Sequence, residues 1–395
     1  MVNSVKRSCS VSSLSGKLDG PISRDNSYYF EDGNAVFLVG NVLFKLHSSL
    51  LMRECEMFEN MFTLPVKQMR SGGEDGTCDE RPIVVPHVEP QPFRNFLLIF
   101  YGRPSDTDYR YLMMDATDPN NHNSSVFLKL IDIADLAHRF VAPELESWAL
   151  GQLKQFSCST EKMSKYHISP EYQLKLLRYA KLALDENLIY WVRHWIRSHY
   201  VWGMDPSPAK PAFTIKSIER VREQLVRLFK IPNLRETEPA LFGFTFCLLL
   251  SLGHTFWSKA SLLTRQDRII LLSGQVHLTP LPESRISLQW LDAYAQRGNR
   301  VSKSRHKPCA RCLITRAWDD AFGGGYRQMV YSNTPLAGIS ALVLLPHRRQ
   351  HFADALKKIS PMICSAKCQD TILKFVDRHI DGVFAQVATF WKDVE

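Results

Sequence analysis

The first third of the chain alternates between short apolar runs and longer stretches with helical periodicity. Two β-prone runs, 35–39 and 42–46, flank the dipeptide Gly40-Asn41, which is typical of a tight turn. This pattern predicts a β-hairpin. Residues 47–62 then repeat large apolar side chains every three or four positions, which predicts an amphipathic helix.

Further elements follow a polar insertion. The run 82–86 (PIVVP) is apolar and bounded by prolines. Because proline has no backbone N–H to donate, this run predicts a strand at the edge of a sheet. Residues 90–101 predict a helix with phenylalanines on one face. The polar stretch 106–125 predicts a loop, and 126–140 and 144–156 predict two amphipathic helices.

Together these elements predict an α+β domain over residues 27–157, in which a small sheet is covered by helices. Residues 1–26 are polar and rich in serine, so we expect a disordered tail. The rest divides into a mainly α-helical region, 158–283, and a basic helical region with paired cysteines, 284–395. The helices predicted after residue 157 are 170–184, 186–200, 213–229, 239–257, 265–273, 284–295 and 360–394.

One stretch, 239–258, contains no Asp, Glu, Lys or Arg and is long enough to cross a bilayer. Glycine, proline, histidine and several hydroxyl side chains interrupt it, however. These interruptions favour a helix buried in a helical core over a membrane span. We therefore expect no membrane partner.

The composition favours a soluble, folded protein inside the cell. The chain has 395 residues, of which 45% are hydrophobic and 23% charged, which suits two or three domains and disfavours a disordered chain. The nine cysteines are an odd number, which disfavours a framework of secreted disulfides. The N-terminus also lacks the apolar core of a signal peptide. We expect a location in the nucleus, the cytoplasm or both.

The positive charge of the chain is concentrated in its last third. The formal net charge is +9, and residues 285–368 hold 14 Lys and Arg against four Asp. The densest part, 297–311, predicts contacts with an acidic protein or with phosphate, while a solvated loop is the simpler alternative. Its six basic residues are Arg297, Arg300, Lys303, Arg305, Lys307 and Arg311.

Two cysteine pairs in this basic region carry the clearest chemical signal. They are Cys309 with Cys312, and Cys364 with Cys368. A CxxC turn lets two thiolates bind one metal ion, and cysteines four positions apart share one helical face. The four cysteines therefore predict a structural zinc site, with four ordinary free thiols as the alternative. Histidines that could replace one or two of them are His306, His347 and His351.

The segment 28–62 resembles the start of a BTB/POZ domain, and 82–86 and 93–101 resemble the middle of that family. The family pattern is an acidic residue, an apolar strand, a turn, a second strand ending in aromatic-x-x-His, and a leucine-rich helix. The matching positions are Asn34, Phe44, His47, Leu50, Leu51 and Phe58. Asn34 stands where the family usually has Asp, and Cys55 stands where it usually has Ser. The amino-acid sequence of this segment is most similar to those of the expanded BTB families of basidiomycete fungi.

The resemblance implies a module that binds other proteins. BTB domains commonly form homodimers or heterodimers, and some dock to a cullin-type ubiquitin-ligase scaffold. We expect such a dimer, with the helical region recruiting a protein partner, and we expect no enzymatic activity because the sequence offers no nucleophile, acid and base at suggestive spacings. The alternative is a nucleic-acid-associated transcriptional regulator that uses the basic segment to contact phosphate.

Overall fold

The chain forms two compact units, Met1–Ser159 and Thr160–Glu395. The computed structural model describes residues 21–63, 76–157, 166, 168–203, 215–284, 286–292, 310–334, 336–359 and 364–391. These residues are mostly helical, with one small mixed sheet in the first unit. The α+β character of the N-terminal part and the helical character of the rest are thus confirmed. The two regions predicted after residue 157 lie within one compact unit.

Four strands form the sheet in the described part of the first unit. They are β1 (Ser23–Tyr29), β2 (Ala35–Val39), β3 (Val42–Leu46) and β4 (Ile83–Val85). Their order across the sheet is β1-β3-β2-β4. β2 and β3 are antiparallel, with Phe37 opposite Phe44, and Gly40 turns the chain at a φ of 58°, so the predicted hairpin is confirmed. β4 lies at the edge, parallel to β2, as its prolines predict. Because β1 begins at Ser23, the predicted tail is wrong for residues 23–26.

Six helices cover this sheet or extend from it in the described part of the unit. They are α1 (Ser48–Glu54), α2 (Glu56–Thr63), α3 (Pro90–Tyr101), α4 (Thr107–Thr117), α5 (Ser124–Arg139) and α6 (Pro143–Ser157). The single helix predicted over 47–62 is divided because the backbone at Cys55 is extended. The loop predicted over 106–125 is wrong in part, since α4 buries Leu112 and Ala116, one helical turn apart, within an otherwise polar stretch.

Aromatic side chains fill the core between the sheet and these helices. Phe37, Phe44, Phe58, Phe93 and Phe140 are each at most 1% exposed. The ring of Phe93 on α3 meets that of Phe44 on β3 edge-on, with centroids 5.0 Å apart, and Phe58 contacts Phe140 at the same centroid distance. Such contacts fix the helices on the sheet, because aromatic pairs prefer edge-on or offset geometries.

The second unit is built from helices. They are α7 (Pro170–Leu182), α8 (Glu186–Gly203), α9 (Ile215–Phe229), α10 (Leu234–Thr237), α11 (Pro239–Lys259), α12 (Arg265–His277), α13 (Ala310–Phe322), α14 (Gly324–Val330), α15 (Ala337–Lys357) and α16 (Ala366–Thr389). The sequence patterns do not predict α13, α14 or α15. In particular, α15 carries Pro346 in its interior, where proline usually breaks a helix.

Two helix predictions near the C-terminus need correction. The helix predicted over 284–295 is wrong, since the described part holds only a 3₁₀ turn, Gln289–Asp292. Before this turn, Ile286 and Leu288 are buried while Ser287 between them is exposed, and this alternation belongs to an extended chain. The long helix predicted over 360–394 begins only at Ala366, after an N-cap.

The apolar helix α11 packs against α16. It is the one helix in the described part of the chain that is long and apolar enough to cross a membrane, and 67% of its most apolar window is buried within the protein. Gly243 permits the close approach, because a Cβ there would overlap the carbonyl oxygen of Phe384 on α16. The regular backbone of α11 is interrupted at Gly253, whose φ is 73°.

Candidate functional site

The residues of the BTB-like pattern serve the fold of the first unit. Asn34 and Ser48 hydrogen-bond to each other at the start of α1. Phe44, Leu51 and Phe58 are buried in the aromatic core, and Leu50 is half-buried. Cys55, which replaces the usual Ser, is also buried, and burial raises the pKa of its thiol to about 12. This thiol is therefore protonated and packs as a small apolar side chain.

His47 joins the start of α1 to the end of α3. Its backbone N–H donates to the hydroxyl of Tyr101 at 2.9 Å, and its ring lies 5.2 Å from that of Phe30. Its Nε2 is 3.3 Å from the carboxylate of Asp32, and this hydrogen bond lowers the pKa of Asp32. Asp32 is largely exposed, so the pair adds little to stability. These contacts indicate that His47 positions α1 relative to α3.

The outer edge of the sheet is a candidate interaction surface. Among the described strands, β4 pairs with β2 alone, and Val84 at its centre is 50% exposed. Arg139 on α5 donates Nη2 to the carbonyl oxygen of Pro86 at 2.6 Å, which fixes the end of the strand. An edge strand presents backbone N–H and C=O groups that a strand of another chain can bind.

The structure places three of the four predicted zinc ligands. Cys312 lies on α13 and is partly exposed, while Cys364 and Cys368 flank the start of α16, one buried and one exposed. Cys309 and His306 lie outside the described residues, and His347 and His351 lie on α15. Within the described ranges, no group of three or more His, Cys, Asp or Glu is arranged to hold a metal ion.

The basic segment is mostly beyond the part that the structure describes. Five of its six predicted contacts lie there: Arg297, Arg300, Lys303, Arg305 and Lys307. Arg311 falls in the first turn of α13, and its side chain is not among those described. Their contact with an acidic partner or phosphate therefore stays a prediction.

A buried charged network in the second unit was not anticipated from the sequence. Arg193 on α8 contacts Asp381 on α16 at 2.7 Å and Glu238, the N-cap residue of α11, at 3.1 Å. Arg197 contacts the other oxygen of Asp381 at 2.6 Å. Lys181 completes the network through Glu238. Basic residues four positions apart on α8 are the signal that could have indicated a charged face here.

Burial and these charges act in opposite directions on Arg193. Burial alone would lower the pKa of its guanidinium, but the carboxylates of Asp381 and Glu238 outweigh it, so the pKa is raised. The arginine therefore stays charged. Because the side chains of Glu238 and Asp381 are only 7% and 15% exposed, the network acts to align α8, α11 and α16 rather than to present charge to a ligand.

An open cavity of about 430 Å³ lies beside α9 and the turn that follows α11. Arg222 on its wall lies 5.9 Å from the ring centre of Phe256. Its lining carries both signs of charge on Glu219, Arg222, Glu223 and Lys259, together with the apolar residues Val226, Phe256 and Leu262. This balance favours no single class of ligand.

A scan against protein-family models, a search of curated proteins and a search of solved structures each found no match for this chain.

Proposed function

We propose that the chain is a protein-interaction module that works as a dimer. The first unit pairs two copies, and the helical unit recruits a further protein. The observation that carries this proposal is the edge of the sheet at β4, which among the described strands pairs only with β2 and where Val84 is half exposed. It is supported by the resemblance of residues 27–157 to a BTB/POZ domain, a family whose members commonly dimerise. We propose binding, not catalysis, as the role of the chain.

Pairing at this edge would extend the sheet from one copy into the next. In a two-fold dimer the same strand of both copies meets at the axis, so the two Val84 side chains come close together. Each is already half buried, so burying the rest of both would contribute about 2 kcal/mol. The new backbone hydrogen bonds between the two β4 strands would add to this and set their register.

The mass of the full chain in solution tests this proposal. The chain has a mass of 45.4 kDa, so size-exclusion chromatography with light scattering is expected to give about twice that value. Val84→Lys places two positive charges near the axis and is expected to give a monomer. Met114→Lys is the matched control, since Met114 is 54% exposed and belongs to α4 rather than to the strand, and the dimer should persist.

If the wild-type chain remains a monomer at all concentrations measured, the proposed dimer is wrong. If both substitutions leave the dimer intact, the two copies meet elsewhere than at β4. Circular dichroism of each variant confirms that the substitution at an exposed position has left the helices in place.

The resemblance also supports a role as a ubiquitin-ligase adaptor, in which the dimer docks to a cullin-type scaffold. Affinity capture of the full chain followed by mass spectrometry is expected to recover that scaffold together with a protein held by the helical unit. Recovery of chromatin proteins, together with DNA binding that weakens steeply as salt rises, would instead favour a nucleic-acid-associated regulator.

A further inference from the structure

The helix α12 carries apolar residues on two opposite faces. Its inner face packs against α11, where Gly274 lies so close to the ring of Phe246 that a Cβ would overlap it. On its outer face, Ile269, Leu272 and Val276 are 47%, 57% and 69% exposed. Because the inner face already holds α12 on the unit, three exposed apolar side chains on the outer face indicate a binding surface.

The spacing of these three residues, the outer seam of α12, suits a second helix. At 3.6 residues per turn they fall within about 60° of the helix circumference. Successive steps of three and four residues form the narrow line along which two helices interlock their side chains. A lipid surface would instead favour a broader apolar face.

The charge at the N-terminal end of this seam has one sign. Arg265 and Arg268 lie there, and neither pairs with an acidic side chain in the described part of the chain. Asp267 is the one acidic residue of α12, but it is buried and pairs with Lys230 at 2.9 Å. The N-terminus of the helix adds a partial positive charge at the same end. An occupant of the seam therefore needs acidic residues opposite this end.

We propose that the outer seam of α12 binds a helix of another protein, with an apolar seam of its own and acidic residues along its flanks. The apolar side chains of the two helices would interlock, and carboxylates of the partner would pair with Arg265 and Arg268. This inference deepens the proposed role of the helical unit in recruiting a protein and rests on that role, but it does not depend on the dimer at β4.

Charge also separates this partner from occupants within the same chain. A second copy of α12 would bring only exposed basic residues to the seam, because Asp267 is buried. The segment 293–309 holds five Lys and Arg and no Asp or Glu. Like charges disfavour both of these occupants.

Two designed peptides serve as probes of the seam. Each spans three heptads with leucine at positions a and d, and the flanking positions e and g are all glutamate in one peptide and all lysine in the other. Like charges along its flanks keep each peptide from pairing with itself. Fluorescence anisotropy measures their binding to the full chain. We expect the glutamate peptide to bind about tenfold more tightly than the lysine peptide, and this preference to shrink as salt rises.

Substitutions separate the apolar contribution from the charge. Leu272→Asp is expected to weaken binding of the glutamate peptide about tenfold or more, because it removes the central apolar contact. Leu184→Asp is the matched control, since Leu184 is an exposed apolar residue of the same unit that lies outside α12. Replacing both Arg265 and Arg268 with Glu should reverse the preference, so that the lysine peptide binds more tightly. A reversed preference requires a folded chain, so it cannot result from misfolding.

Several results would overturn this inference. Wild-type chain that binds neither peptide, or binds both equally, has no acidic helix as its partner at this seam. Co-sedimentation with vesicles of phosphatidylcholine and phosphatidylserine, lost in Leu272→Asp, would assign the seam to a membrane surface. If light scattering finds a dimer that Leu272→Asp dissociates and Val84→Lys does not, the seam joins two copies of the chain.

Failure of this inference can be distinguished from failure of the proposed function. If Leu272→Asp captures the same proteins as wild type, the helical unit recruits a partner through another surface, and only the seam is wrong. If the wild-type chain is a monomer that still prefers the glutamate peptide, the dimer at β4 is wrong and the seam is supported.

Discussion

Asn34 and Ser48 are joined by two hydrogen bonds, one donated by each residue. The Nδ2 of Asn34 donates to the Oγ of Ser48 at 2.9 Å, and the backbone N–H of Ser48 donates to the Oδ1 of Asn34 at 2.8 Å. The amide thus satisfies a backbone N–H at the first position of α1 that has no partner within the helix. It also ties this helix to the chain just before β2.

This relationship predicts that one substitution of Asn34 lowers the stability of the chain and that another does not. Asn34→Ala removes both bonds and is expected to cost about 1 kcal/mol of stability. Asn34→Asp restores the residue usual in BTB/POZ domains. It keeps the acceptor and places a negative charge at a helix N-terminus, so we expect no loss. Hydrogen exchange followed by mass spectrometry compares the protection of α1 in each variant with that in wild type. If α1 is protected in the alanine variant as well as in wild type, water replaces the lost hydrogen bonds.

The buried ion pair between α15 and α16 is expected to be costly to break. Arg349 donates Nε and Nη2 to the two carboxylate oxygens of Asp377, at 2.9 and 2.7 Å, and both side chains are largely buried. Asp377→Asn leaves the arginine without its charge partner and should cost about 3–5 kcal/mol, whereas replacing both residues with apolar ones should restore most of that loss. Urea unfolding followed by tryptophan fluorescence reports on this unit, since seven of the eight tryptophans follow residue 160.

The exposed ion pair of Arg227 with Glu223 on α9 is the matched control. Both side chains are 57% exposed, so Arg227→Met should change the free energy of unfolding by less than about 1 kcal/mol. If the buried and exposed pairs prove equally dispensable, the buried pair does not hold α15 against α16.

His194 makes the second unit sensitive to mild acid. Burial lowers its pKa well below 6.5, the positive charge of Arg349 lowers it further, and the hydrogen bond with Gln350 opposes both. Arg197 also acts to lower it. The folded chain thus keeps His194 neutral, while the unfolded chain protonates it near its ordinary pKa. Stability is therefore complete above that ordinary pKa and falls as the pH drops below it.

We expect this effect to be measurable in urea midpoints. Between about pH 7.5 and 5.5 one such histidine removes about 1 kcal/mol of stability. His194→Gln cannot titrate and keeps an amide N–H for Gln350, so it should lose less stability than wild type over that interval. Parallel curves for the two proteins would show that His194 is not the source of the acid sensitivity.

The close approach of α11 and α16 predicts that two glycines respond in opposite ways. Gly243→Ala places a methyl group against the carbonyl oxygen of Phe384 and should cost about 1–3 kcal/mol through overpacking. Gly382→Ala on α16 faces open space and should stabilise the helix by about 1 kcal/mol. Thermal unfolding of the two variants compares them directly, and a neutral Gly243→Ala would show that the helices can separate at little cost.

Local patterns in the sequence determined much of the secondary structure. The Gly-Asn turn between two apolar runs was enough to predict the hairpin, and helical periodicity was enough to predict α3 over Pro90–Tyr101. The proline-bounded run correctly predicted β4 at the sheet edge. Each of these features depends on neighbouring residues, because turn geometry and the period of a helix or strand act over only a few positions.

Only the tertiary structure decided which residues come together. It pairs Arg349 with Asp377 across two consecutive helices, and it pairs Arg193 with Glu238 and Asp381, which lie 45 and 188 residues further along the chain. It also keeps Pro346 within α15 and extends the chain around Leu288, against the local patterns. The physical reason is that burial and ion pairing depend on neighbours brought by the fold, and these can override the weak local preferences of a single segment.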